Sequence, residues 1–143
     1  SHARSLRDLE LLAPLEHLQQ LKLYECGGLS DIDDLSSLQN LRKLELSKCT
    51  RISDLEVIGS LKQLQSLSLN RTGVDDVSFI EHLAELMDLS LIGCSGLTEL
   101  PPLDGLTRLR RLNLNGCTGL SEEARAAATA LEAQGCTVLL PRV

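Results

Sequence analysis

The sequence predicts an α/β fold of one kind: a right-handed solenoid with short parallel strands on its concave face and 3₁₀ or short helical turns on its convex face. Three observations predict it. The phrase Leu-x-x-Leu-x-Leu-x-x-Cys/Thr occurs five times, with its first leucine at 18, 41, 64, 86 and 109, a spacing of 22 or 23 residues. After the strand phrase, in every copy but the last, the apolar period changes from two to three. Aromatic residues make up 1% of the 143 residues, so the core must be stacked aliphatic side chains instead of a central aromatic cluster.

The strand half comes first in each copy. In Leu21-Lys22-Leu23 and its equivalents apolar and polar residues alternate, which puts the two leucines inside and the residue between them outside. The next slot holds Cys26, Cys49, Thr72, Cys94 and Cys117. Thiols at one recurring position do not read as a secreted disulfide scaffold. Neighbouring turns would stand about 4.8 Å apart, so a bridge is geometrically thinkable, yet buried reduced thiols acting as small hydrophobes fit better. No Cys-x-x-Cys or Cys/His spacing supports zinc. Gly73, Gly93, Gly96, Gly116 and Gly119 fall in the tight turns after the strands, where positive φ is useful.

The return half follows with a period of three, in Leu29, Ile32, Leu35, Leu38 and Leu41 and again in Val74, Val77, Ile80, Leu83 and Leu86. Three residues per turn is the 3₁₀ repeat. An acidic column, Asp8, Asp31, Asp54, Asp76 and Glu99, stands mostly behind Ser30, Ser53 or Thr98. Aligned acids raise a calcium ladder, but Ser/Thr capping with an acid in the first turn explains them more simply, and Ser53-x-x-Glu56 reads as a capping box. Pro101-Pro102 should hold its return in an extended shape.

The two ends differ. Ser1-His2-Ala3 reads as a cloning remnant, and residues 1–5 are set apart as remnant or linker. Residues 6–120 hold the repeats. The first is partial, because Leu6, Leu9, Leu12, Leu15 and Leu18 match a return half without its strand, and the chain is expected to be the C-terminal part of a longer protein. Residues 121–143 should form a terminal cap. Ser121 opens an alanine-rich helix to Gln134, Gly135 is its left-handed stop, and a β-prone run from Cys136 to Leu140 ends at Pro141.

A period near 22–23 with this leucine phrase resembles the leucine-rich repeat family over almost the whole chain, and its short bacterial and phosphatase-regulator branch more than the long-repeat ribonuclease-inhibitor branch. In common members of that family the Cys/Thr slot holds Asn. The resemblance implies a module that binds a protein partner on its concave strand face, without catalysis and without a cofactor. Two other uses stay open: a ligand-sensing, autoinhibitory domain of an immune-type nucleotide-switch receptor, or a structural spacer.

Chemistry is otherwise absent from the pattern. No nucleophile elbow, phosphate loop or His-Glu-x-x-His helix is present, so catalytic and metal residues are set at none. A formal charge of −6 and a pI near 5.0 argue against nucleic acid. No apolar run approaches the roughly 20 residues of a membrane helix, and a reduced, cytoplasmic setting is expected. Carried over position by position, the partner-binding residues are Lys22, Tyr24, Lys43, Glu45, Arg71, Asp88, Ile92, Arg111 and Asn113. Tyr24 and Ile92 stand out as apolar residues expected to face solvent, and Arg71 and Arg111 as candidates for bidentate capture of carboxylates.

Overall fold

Alternation of leucine with polar residues produces six strands in the computed structural model, which describes residues 9–12, 14–52 and 54–141. They are β1 (Gln20–Tyr24), β2 (Lys43–Ser47), β3 (Ser66–Ser68), β4 (Asp88–Ser90), β5 (Arg111–Asn113) and β6 (Thr137–Leu139), all parallel and in sequence order. The register pairs equivalent repeat positions. Leu21, Leu44, Leu67, Leu89 and Leu112 form one inward line that ends on Val138. A one-residue slip would turn every leucine outward, so burial itself fixes this register.

The period-three leucines set the returns. Leu35 N donates to Ile32 O, Leu38 N to Leu35 O and Leu41 N to Leu38 O, at 2.9, 2.9 and 3.1 Å. Each bond spans three residues, so every apolar side chain falls on the same edge of the helix and faces the core. The turns run over Glu10–Leu12, Asp33–Ser37, Glu56–Ser60 and Ser78–His82. The return through Pro101-Pro102 is not helical; the three-residue bonding resumes only at Leu106 N to Leu103 O, 3.0 Å. Proline lacks the donor that a helical turn needs.

The caps differ from the expectation. Ile32, Leu55 and Val77 occupy the N-cap positions of three returns and make no side-chain cap bond. The acids do the capping themselves. Asp31 Oδ1 accepts from Asp33 N at 2.9 Å, Asp54 Oδ1 from Glu56 N at 3.1 Å and Asp76 Oδ1 from Ser78 N at 2.9 Å. A short carboxylate reaches the amide two residues on, an Asx turn, ahead of any serine three residues back. Ser53 and its capping box, and Asp8, lie outside the described residues.

At the C-terminal end Ser121 Oγ accepts from Ala124 N at 3.1 Å, starting α1 (Glu122–Ala130). Gly135 closes the following 3₁₀ turn at φ 90°, and β6 then pairs with β5. Ala124, Ala128, Leu131 and Cys136 bury against the stack. The sole phenylalanine, Phe79, is buried beside Gly59, where an added Cβ would stand 3.2 Å from Phe79 O.

Candidate functional site

Outward positions of the strands build one face. β1 alternates exposed and buried along its five residues, presenting Gln20, Lys22 and Tyr24. The register places Lys43, Glu45 and Ser47 beside them, then Ser66 and Ser68, then Asp88 and Ser90. With the residue that follows each strand's outward set, the face carries Lys22, Lys43, Lys48, Arg71 and Arg111 against Glu25, Glu45 and Asp88. This is a local excess of cations on a chain whose formal charge is −6. The remaining acids, including the Asp31, Asp54 and Asp76 caps, therefore dominate the rest of the surface.

The backbone bends sharply at one position in every turn. Glu25, Lys48 and Arg71 have φ of 54°, 58° and 56°, and Gly93 and Gly116, at the same repeat position, 75° and 80°. At four of these positions a hydrogen bond between turns accompanies the bend. Glu25 N donates to Ser47 O, Lys48 N to Asn70 O, Arg71 N to Ile92 O and Gly93 N to Asn115 O, all between 2.8 and 3.0 Å. Glycine takes this left-handed conformation freely, whereas a residue with a Cβ is strained there by about 1–2 kcal/mol. The first three turns thus hold charged side chains where the last two hold glycine.

Below the bend the cysteine slot is sealed. Cys26, Cys49, Cys94 and Cys117 are buried free thiols. Cys49, Cys94 and Cys117 direct their sulfur to the carbonyls of Leu23, Leu69 and Leu91 one turn back, at 3.7, 3.3 and 2.9 Å. Thr72 fills the slot in the third turn and donates to Leu69 O at 2.8 Å. Burial pushes the Cys49 and Cys117 thiols up to about 11 and raises Cys94 as well. Such thiols are structural donors, because the reactive species is the thiolate.

Several of the sequence-derived residues meet in one hollow of about 290 Å³, lined by Tyr24, Glu45, Ser47, Lys48, Asn70, Arg71 and Ile92. Tyr24 is 50% exposed. Lys48 Nζ sits 5.2 Å from its ring centroid and 3.3 Å from Glu25 Oε1. The Tyr24 side chain first, then the Glu25 carboxylate, hold the Lys48 ammonium above its ordinary value. Asn70 forms the floor: its Oδ1 accepts from Ser90 Oγ at 2.7 Å and from Ile92 N at 2.8 Å. Ser68 Oγ is buried nearby with no hydrogen-bond partner among the described residues.

Lys22, Asp88 and Arg111 are exposed on the same face but do not line this hollow, and Lys43 is half-buried. Two expectations need correction. Asn113 is 7% exposed, flanked in register by Leu139 of β6, and its Oδ1 accepts from Asn115 N at 3.1 Å. Ile92 is half-buried, tied by its amide to Asn70. Lys48 and Asn70 were not among the sequence-derived residues. The signal for Lys48 was its place beside Arg71 in the repeat, and for Asn70 its place between paired leucines and the bend.

A stack of such turns, with leucine register on one side and a polar strand face on the other, defines a repeat-built solenoid. The chain belongs to the leucine-rich repeat family: the family model described as R13L1/DRL21 LRRs matches residues 1–72. Its fold is similar to that of an internalin, InlF, from Listeria monocytogenes, at 28% identity and TM-score 0.57 over 76% of this chain and 36% of that one. It is also similar to a leucine-rich repeat protein from Leptospira interrogans, at 24% identity and TM-score 0.56 over 80% of this chain and 36% of that one. The functional domain of InlJ from Listeria monocytogenes, which includes a cysteine ladder, matches at 18% identity and TM-score 0.56, over 73% of this chain and 27% of that one. The chain thus spans about a third of the first two structures (36% of each). No curated protein matches the chain in sequence. Among the described residues no helix is long and apolar enough to cross a membrane, and no group of three or more His, Cys, Asp or Glu is placed to hold a metal ion.

Proposed function

We propose that this chain is a non-catalytic protein-interaction module that binds its partner on the strand face, within a longer protein. The observation that supports it best is the hollow around Tyr24. Aromatic, aliphatic, amide and cationic side chains from four successive turns converge there on a rigid sheet. Rigid aromatic and arginine anchors in a shaped recess are what hot spots are made of. Lys22, Lys43, Asp88 and Arg111 would form its charged surround, setting orientation and on-rate more than affinity. The repeat strands would supply the face, with α1 and β6 closing the stack. The free buried thiols favour a reducing, cytoplasmic setting.

The test compares the chain with a Tyr24→Ala, Ile92→Asp, Arg111→Glu variant in pull-downs from lysate of the source cell, after matched melting curves show both folded. A protein retained by the parent and lost by the variant is the expected result. Equal retention by both would sink the strand-face assignment, and empty profiles for both would favour a spacer.

A further inference from the structure

We propose that the strand-face hollow recognises an acidic peptide segment of the partner, an Asp or Glu beside an aliphatic residue, with Arg71 as the carboxylate anchor. The inference rests on the strand-face reading above and adds the chemistry of what is bound. It starts from the column of left-handed residues. The position accepts glycine, as Gly93 and Gly116 show, so the fold itself does not require a side chain there. Arg71 is nevertheless held at φ 56°, a conformation that a glycine would adopt without strain.

The next turn is shaped around this arginine. A Cβ on Gly93 would stand 2.9 Å from Arg71 Cγ, so the glycine leaves the space in which the arginine stem lies across the following turn. Of the other charges at the hollow, only Lys48 is paired with an opposite charge. Lys48 is shared between Glu25 and the Tyr24 ring, and Glu45 Oε1 accepts from Ser47 Oγ at 3.4 Å. Among the described residues no carboxylate lies within salt-bridge distance of Arg71. A guanidinium fork without an acid matches a carboxylate in bidentate geometry, which a lysine at the same place would not. Ile92 and the Tyr24 ring offer the apolar wall for the neighbouring side chain, and a recess of about 290 Å³ has room for little more than these two groups. The local excess of cations on this face, in an otherwise acidic chain, disfavours a basic segment and favours an acidic one.

The experiment selects a random-peptide phage library on the parent chain, then measures retention of the enriched peptides on Arg71→Gly and on Tyr24→Ala. The expected result is enrichment of peptides with Asp or Glu next to Leu, Ile or Val, and at least about a tenfold loss of affinity on Arg71→Gly. That variant should melt within about 3 °C of the parent or above it, because glycine relieves the bend. Enriched peptides without an acidic preference that are lost on Tyr24→Ala overturn the acid chemistry and leave the strand-face reading standing. Peptides retained by both variants overturn both. A library that yields nothing overturns this inference, as does an Arg71→Gly melting point lowered by more than that margin, which would make the arginine structural.

Discussion

At the scale of single residues the cysteine slot shows how a repeat position is chosen by what it must satisfy. A side chain there must fill a small volume and offer a weak donor to a carbonyl one turn back, which Cys49, Cys94 and Cys117 do through sulfur. Thr72 does the same within its own turn through oxygen. Burial raises the Cys49 and Cys117 thiols from 9.0 to about 11, so the folded chain disfavours their ionised forms. For a group raised on folding, the contribution to stability is complete below the unfolded value and disappears as pH climbs through the folded one. The chain should therefore lose stability between about pH 9 and 11. Melting curves of the parent and a Cys49→Ala, Cys117→Ala variant should converge over this interval, the variant starting lower because its small cavities cost roughly 1 kcal/mol each. A gap that stays constant with pH would show that these thiols do not govern it. The slot itself was legible in the sequence, since its occupants recur at a fixed period. The bend one residue earlier was legible only at Gly93 and Gly116, whose place after the strands pointed to positive φ. Glu25, Lys48 and Arg71 carry no mark of left-handed backbone, and there the conformation comes with a hydrogen bond to the next turn, as from Glu25 N to Ser47 O. Superposing the repeats would have exposed it, because Gly93 and Gly116 hold the same place.

Among the elements, the returns show where periodicity suffices and where it does not. Leucines at every third residue determine the 3₁₀ turns because the same spacing sets both the hydrogen bonds and the buried edge. What starts each turn was misassigned to serine and threonine, since both residue types are good caps and only geometry separates them. The aspartates win by reaching the amide two residues ahead. Asp76 shows the electrostatic side of this bond: the Ser78 backbone amide, and then its side chain, hold the carboxyl below its ordinary 3.8. A lowered value means stability that is present above the unfolded pKa and lost as pH falls through the folded one. Asp76→Asn should accordingly be less stable than the parent at pH 6, with the difference shrinking below about pH 4. Thermal melts of the two from pH 6 to pH 2.5 check it, and a difference that persisted undiminished in acid would mean that the carboxylate charge is irrelevant to the cap. The Phe79–Gly59 contact was equally hidden. Nothing in the local pattern says that one return must lack a Cβ so that the backbone and Cβ of Phe79 in the next can lie against it.

For the whole molecule, stability in a solenoid is the sum of each turn's own contribution and of its interfaces with the turns on either side. The described residues contain a natural comparison. Leu15, Leu38, Leu61, Leu83 and Leu106 occupy one repeat position; the last four are 0% exposed, while Leu15 is 48% exposed. The strand leucines show the same gradient more weakly, with Leu21 at 9% and its register partner Leu44 at 0%. The sequence treats these leucines alike, because periodicity reports which side of the chain faces inward but not how many layers cover it. An identical substitution should therefore have position-dependent consequences. Leu61→Ala removes a side chain packed between two turns and should cost about 3 kcal/mol, as buried leucine truncations do. Leu15→Ala removes one that is 48% exposed and should cost less than about 1 kcal/mol. Denaturant titration of both variants gives the two values directly. Native-state hydrogen exchange should add a spatial signature, with protection in Leu61→Ala lost first in β2, β3 and the returns that flank residue 61. Equal costs at the two positions would contradict nearest-neighbour stacking and require that the turns unfold as a single block. Unequal costs would carry a functional corollary. The strand-face hollow draws on four turns at once, so its geometry would depend on interior leucines such as Leu61 and be insensitive to Leu15. Partner binding should then fall with Leu61→Ala at temperatures well below global melting, while Leu15→Ala binds as the parent does.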